Sequence, residues 1–249
     1  MPTTIFTSPW EFAITCVVLI VAQIVYVLLG FGSGLVSVGA LALVFPELQD
    51  VVVLLLLVNL PAELFISWQS RREIRWRPIL GLGSGIAVGI PVGAILLSTT
   101  DPQVMLAVLG WFLIGVGLLF IKLPPDGRFK PHAAAAPSAG LISGVLTGLY
   151  GTGGPPLIVW YHLSAVGKSA FRANLMTIFL LMAVVRVPSY AAVGLVTGPR
   201  LWSSLLVMPA VLLGGWIGHR LHVQVSERTF RRLVSLVLAV IGAVLLIRQ

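Results

Sequence analysis

Charge is scarce in this sequence. Only 10% of its 249 residues are charged, where a soluble domain carries roughly 25%. Hydrophobic residues make up 58%, and the mean hydropathy is +1.04. So little polar surface cannot cover a water-exposed globule, which excludes an ordinary soluble domain. Acidic residues are scarcer than basic ones, 8 against 16. Cysteine is nearly absent. Cys16 stands alone in the first apolar run, so neither an intramolecular disulfide nor a thiolate metal site can form. Basic residues are missing before Arg71. Without a positive segment ahead of the first apolar run, no cleaved signal peptide is expected, and the N-terminus is expected outside the cytoplasm.

Apolar runs are abundant. Hydrocarbon offers no partner to open backbone groups, so runs that cross it fold as helices. A span needs about 20 residues. The first half reads as runs at 10–29, 34–46, 51–68, 79–98 and 103–121. The second half reads as 136–149, 154–166, 173–194, 201–219 and 230–247. The fold class is therefore all-α, a polytopic transmembrane bundle. The net charge of +8 does not point to nucleic acid, because the basic residues form short clusters between apolar runs.

Those clusters write a topology. Thirteen basic residues fall in the 70–78 loop, the linker around 122–137, the 167–172 turn and the 219–232 stretch. Only Arg200 and Arg248 fall on the opposite side, and Arg186 lies inside a run. The majority side is the cytoplasmic one, so both termini are expected outside, in a multi-pass protein of the cell's inner or plasma membrane. Trp10, Trp68, Trp76 and Trp202 lie at run ends, where headgroup anchoring is expected. Trp111, Trp160 and Trp216 lie deeper and are expected to pack.

The two halves resemble each other. Gly32-Ser33-Gly34 aligns with Gly151-Thr152-Gly153 at an offset of 119. Further on, the offset is 125, pairing Arg75 with Arg200, Gly89 with Gly214, Gly93 with Gly218 and Gly117 with Gly242. Residues 1–122 form a first repeat, 123–137 a cytoplasmic linker, and 138–249 a second repeat. The loop charges make the copies inverted, an arrangement typical of secondary transporters. Gly81, Gly85, Gly89 and Gly93 recur every four positions, a spacing that lets helices approach closely. Core packing is the expected use, ahead of a direct substrate surface, with a homodimer interface as a further possibility.

Matched breaks interrupt the apolar runs at Gly30–Gly34 and at Gly151–Pro156. Clustered glycines weaken a helix, and proline lacks the donor to continue one. The following runs, 34–46 and 154–166, cover about 20 Å each, short of a full crossing. Short, glycine-interrupted segments at corresponding places mark a transporter's binding site. A helix starting at such a break presents its first N–H groups and the positive end of its dipole, which favours an anion. The competing interpretation is a pair of hairpin turns within a bundle. Re-entrant hairpins and tilted full spans fit equally well. No Lys-Ser/Thr pair follows the glycines as a nucleotide-binding loop requires, and Phe31 stands where the G-x-S-G of an intramembrane serine protease needs glycine.

Polar groups at membrane depth are costly and tend to be functional. Arg186 has three readings open to it: a structural ion pair with Glu63, the fixed positive charge facing an anion, with Glu63 coupling transport to H+ or Na+, or a side chain that snorkels towards the interface. The candidate substrate contacts are Gly32, Ser33, Gly34, Gly151, Thr152, Gly153, Gly154, Arg186, Asn59, Asn174 and Tyr150. Gln23, Ser37, Tyr161, His162 and Tyr190 are secondary candidates, and Asn59 and Asn174 serve equally as interhelical glue. His219 and His222 lack Cys, Asp or Glu nearby to complete a metal site. No metal or cofactor is expected. Asp101 and Ser226 stand at the starts of the fifth and last runs as caps.

The G-F-G-S-G at 30–34 and the G-L-Y-G-T-G-G-P-P at 148–156, with Arg75-Trp76 and Arg200-Leu201-Trp202, carry a resemblance across nearly the whole chain. The sequence resembles the TauE/SafE family, also called the toluene-sulfonate uptake permease family. The resemblance implies a transporter, not an enzyme, that moves sulfite or organosulfur anions such as sulfonates and sulfoacetate with coupling to an ion gradient. The first break departs from the family by lacking a further glycine found in many members. The second half departs by carrying Arg186 and Asn174 where small hydroxyl residues are common. A passive anion channel, or a transporter of another small organic anion, is the alternative.

Overall fold

A computed structural model describes residues 4–29, 32–69, 71–74, 76–122, 133–163, 168–221 and 227–247. Gly30, Phe31, Arg75, His222, Ser226 and most of the 123–137 linker lie outside these residues, as does the side chain of His162. The described residues contain ten α-helices and no strand. The helices are α1 (Pro9–Leu29), α2 (Ser33–Ala42), α3 (Leu48–Gln69), α4 (Trp76–Thr99), α5 (Pro102–Lys122), α6 (Ala136–Tyr150), α7 (Gly154–Leu163), α8 (Lys168–Ala192), α9 (Gly198–Arg220) and α10 (Glu227–Ile247). Among the described residues, six helices are long and apolar enough to cross a membrane. At 10 residues each, α2 and α7 extend only about 15 Å.

Large apolar side chains cover the outside, among them Val88, Val92, Ile95 and Leu96 on α4 and Leu205, Leu206, Leu212 and Leu213 on α9. Such a surface is stable only in lipid. Trp10, Trp68, Trp76 and Trp202 are exposed near helix ends, as anchoring requires. Trp111 and Trp216 depart from the expectation that they pack: they are 67% and 57% exposed. The Arg220 guanidinium sits 4.9 Å from the Trp216 ring, so the indole joins a cation at the end of α9.

The chain folds into two compact units, and neither follows the sequence halves. One comprises Met1–Val58, Thr100–Leu123 and Thr197–Gln249. In it α1 packs on α9, α5 on α10, and α2 on α1, α5 and α10. Gly214 and Gly218 of α9 meet the α1 backbone at Ile20 and Ile24. Gly110 of α5 meets Gly242 of α10, and Gly117 meets Ser235. The rising numbers on one helix meet falling numbers on the other, so α5 and α10 run antiparallel. Asp101 caps α5 as expected, its Oδ1 accepting from the Gln103 N–H at 2.8 Å.

This unit also holds an ion pair with no sequence signal. Arg200, expected on the outer side of the membrane, is only 8% exposed. Its Nε donates to Asp50 Oδ1 at 2.7 Å, and its second terminal nitrogen lies 3.3 Å from Gln49 Oε1 and 3.7 Å from Glu47 Oε2. It thereby ties the first turn of α9 to that of α3.

The other unit comprises Asn59–Thr99 and Pro124–Val196. Its centre is the parallel pair α4 and α6. Gly85, Gly89 and Gly93 of α4 face Gly140, Gly144 and Gly148 of α6. A Cβ on Gly89 would lie 2.4 Å from the Leu141 carbonyl oxygen, and one on Gly140 would lie 2.0 Å from that of Leu82. The glycine stripe is thus consumed within the chain as core packing, and is not left open for a second copy.

Gly89→Ala is expected to lower stability by about 2 kcal/mol, because neither backbone can yield without separating the helices. Gly115→Ala, which meets nothing within 4 Å, is expected to be neutral or to stabilise by roughly 0.5–1 kcal/mol through helix propensity. Asp50→Ala should cost about 1–3 kcal/mol by removing the shortest of the contacts to the buried Arg200 while leaving those to Gln49 and Glu47. Thermal unfolding in detergent, followed by tryptophan fluorescence, checks all three.

Candidate functional site

The two breaks belong to different units. In the first unit, Gly32 takes φ +95°, a left-handed conformation open to glycine at little cost. From there α2 begins, and the Val36 N–H closes its first helical turn on the Gly32 carbonyl at 3.1 Å. The N–H groups of Gly32, Ser33, Gly34 and Leu35 therefore have no acceptor within the helix. No side chain caps them. Ser33 is buried, and one turn on Ser37 is also buried, its Oγ without a hydrogen-bond partner. This helix start presents four donors and two hydroxyls on a short element.

In the second unit, Gly151 takes φ +69° and ends α6, its N–H donating to the Thr147 carbonyl at 2.8 Å. Gly151 and Gly32, equivalent under the offset of 119, thus share the left-handed geometry. The chain then doubles back across the last turn of α6. The Ser143 hydroxyl donates to the Gly153 carbonyl. The Thr147 hydroxyl donates to the Ser143 carbonyl at 2.7 Å and lies 3.3 Å from Met182 Sδ on α8. A Cβ at Gly153 would collide with Thr147 Oγ1 at 2.0 Å and the Ser143 carbonyl at 2.2 Å, so only glycine fits there. Thr152 is buried beside it.

Here the donor count differs from the sequence expectation. α7 opens as Gly154-Pro155-Pro156. Two of the first four positions lack an N–H, leaving those of Gly153 and Gly154. The two helix starts therefore present unequal numbers of N–H donors.

Arg186 of α8 is a buried cation of the same unit. It is 5% exposed, and its guanidinium lies 5.2 Å from the Tyr190 ring centre. The Tyr190 hydroxyl donates to the Gly148 carbonyl at 2.8 Å and lies 3.4 Å from that of Thr147. Arg186 is thus connected, through one tyrosine, to the turn of α6 that ends at the break. Glu63 of α3 has its Oε2 buried with no hydrogen-bond partner among the described residues. One turn along α3, the Ser67 hydroxyl sits 3.2 Å from that of Thr177 on α8. Asn174 is fully buried in α8, Asn59 is half-buried in α3, and Tyr150 and Tyr161 are buried in α6 and α7.

Sequence reasoning missed Ser143 and Thr147. Their one-turn spacing just before the glycines is the signal that marks them. Among the described residues, no group of three His, Cys, Asp or Glu can hold a metal.

Comparison with known proteins places this geometry. The sulfite exporter TauE/SafE family matches residues 15–245. A probable sulfite/organosulfonate exporter TauE of Cupriavidus necator is 26% identical over 226 residues, covering 88% of this chain and 87% of its own. A probable inner membrane transporter protein TsaS of Comamonas testosteroni is 25% identical over 191 residues, covering 76% of this chain and 80% of its own. No solved structure matches. With a match across nearly all of its length, the chain belongs to the sulfite exporter TauE/SafE family of membrane transporters.

Proposed function

We propose that the chain is a secondary transporter of small sulfur-containing anions, sulfite or organosulfonates, that alternates access by exchanging the conformations of two inverted repeats, with coupling to an ion gradient. The observation that carries the proposal is Arg186, a buried cation fixed by Tyr190 beside a broken helix. A guanidinium offers a flat fork of donors to sulfonate oxygens, and a buried one acts with little screening. The Gly153 and Gly154 N–H groups supply the remaining donors at the start of α7, with Thr152 beside them. Asn59, Asn174 and Tyr150 stand as further contacts. The start of α2, with Gly32, Ser33 and Gly34, is the matching element of the other repeat. Glu63 is the group that senses the coupling ion. The names of the two relatives, a sulfite/organosulfonate exporter and an inner membrane transporter, favour this cargo.

Packing supports the inverted repeats. Under the offset of 125, Gly110 corresponds to Ser235 and Gly117 to Gly242. The contacts Gly110–Gly242 and Gly117–Ser235 therefore exchange with each other, as a local two-fold axis demands. Since α5 and α10 run antiparallel, repeats related in this way are inverted. The parallel pairs α4–α6 and α9–α1 join the fourth helix of each half to the first helix of the other. The same directions follow from the loop charges, which put both termini outside.

Two experiments test this reading. A sulfur anion held at 100 times its Kd should stabilise the purified protein by about 2.7 kcal/mol. A melting screen with sulfite, sulfate, taurine, sulfoacetate and toluene-sulfonate is expected to give at least one such shift, abolished by Arg186→Gln. A response only to another class of solute contradicts the cargo. For topology, a Cys16→Ala background carrying Asp101→Cys should react with an impermeant maleimide on intact cells, whereas Arg72→Cys should react only after permeabilisation. The reverse pattern contradicts the orientation.

A further inference from the structure

The connection between α3 and α4 gathers cations that the transport reading does not use. Trp68 at the end of α3 and Trp76 at the start of α4 are 70% and 59% exposed. Beside them stand Arg71, Arg72 and Arg77, all exposed. We propose that this connection, together with the start of α8, binds the phosphodiester headgroup of an anionic phospholipid. The inference is independent of which anion the chain carries.

Arg71 is held in place. Its Nη1 donates to the Trp68 carbonyl at 3.0 Å, and its Cζ lies 4.7 Å from the Trp68 ring centre. A guanidinium stacked on an indole keeps a planar fork of donors that fits two phosphate oxygens at once. It carries five N–H donors, so one bond to a carbonyl leaves capacity for an oxyanion. The indoles also set the depth, because exposed tryptophans at span ends lie at headgroup level.

Contacts within the same unit bring more positive charge alongside. The Ser67 hydroxyl lies 3.2 Å from that of Thr177, and a Cβ on Gly83 would lie 3.1 Å from Leu181. Ser67 is one turn before Arg71, whereas Gly83 is farther along in α4. Approaching the connection therefore means stepping from Leu181 to Thr177, toward the start of α8. The turn Arg71–Glu73 itself packs on α8, so it sits beside the helix start that carries Lys168 and Arg172. Against these five cations stands one carboxylate, Glu73. Among the described residues the ion pairs are those of Arg200, so Glu73 does not neutralise its neighbours by contact.

A small inorganic anion would meet the same cations but would gain nothing from the apolar surface next to them. A phospholipid gains from both. One turn from each tryptophan toward the middle of its helix, Leu64 of α3 and Leu80 of α4 are exposed, and Phe65 is exposed beside Leu64. Acyl chains would cover these side chains while the phosphate meets the guanidinium groups. The loop charges put the connection on the cytoplasmic side, where basic clusters meet the anionic leaflet.

The test gives the purified full chain, in neutral detergent, phosphatidylglycerol or phosphatidylcholine with the same acyl chains. Native mass spectrometry counts the lipids retained, and phosphatidylglycerol is expected to be retained in preference. A basic residue near an anionic lipid surface is worth about fivefold in binding. Arg71→Gln/Arg72→Gln is therefore expected to weaken retention about 25-fold, and the charge-keeping Arg71→Lys/Arg72→Lys to preserve most of it. On the parent chain, a photoactivatable phosphatidylglycerol should crosslink within 64–80 or 168–172. Equal retention of the two lipids by the parent overturns the proposal, and so does crosslinking confined to other segments, whatever the variants' folding. Undiminished retention by a folded Arg71→Gln/Arg72→Gln chain overturns it as well. Release of the bound lipid by excess inorganic phosphate or toluene-sulfonate would make this a small-anion site and overturn the lipid assignment.

Discussion

Breaking a helix at membrane depth exposes backbone groups that hydrocarbon cannot satisfy, and each orphan costs several kcal/mol. The end of α6 shows how this chain meets that constraint. Gly151 turns the chain left-handed, the Ser143 hydroxyl takes the Gly153 carbonyl, and the Tyr190 hydroxyl takes the Gly148 carbonyl. Every one of these partners comes from α6 itself or from α8. The break is therefore a built feature, and its upkeep fixes what stands around it. Tyr190 is committed to the broken end, so its ring lies where it holds Arg186. The placement of Arg186 is thus tied to the closing of the backbone.

Close backbone approach is the second constraint. Without a hydrophobic force between helices in lipid, association depends on packing. Glycines on both faces bring α4 and α6 into backbone contact along three turns, whereas α9 has glycines facing larger residues of α1. The tighter pair frames the broken end of α6, giving a rigid support to the residues that follow.

The ten helices were legible to within a few residues because glycine, proline and charge punctuate every apolar run. The breaks were legible because the clusters at Gly30–Gly34 and Gly151–Pro156 correspond under the offset of 119; glycine spacing alone would not have marked them, since Gly81–Gly85 repeats the G-x-G-S-G pattern inside an unbroken α4. Other features were not. The Arg200–Asp50 contact joins residues 150 positions apart, and Arg200 looked like an ordinary loop charge. Trp111 and Trp216 looked like core because depth in a run says nothing about which face a side chain occupies. The unequal donor counts of α2 and α7 were in the sequence, since Pro155 and Pro156 are plain to see, but their effect required knowing where the helix begins. Glu63 and Arg186 stood out as charges in apolar runs. The link of Arg186 to the break through Tyr190 needed coordinates.

The proposed carrier would bind a sulfur anion at its fixed cation on each cycle. The most direct measurement is exchange in liposomes reconstituted with the purified chain, using labelled toluene-sulfonate or sulfite. A carrier predicts saturable uptake that is accelerated by the unlabelled anion on the opposite side and lost with Arg186→Gln. Flux that rises linearly with concentration, with no acceleration by trans anion, would contradict it.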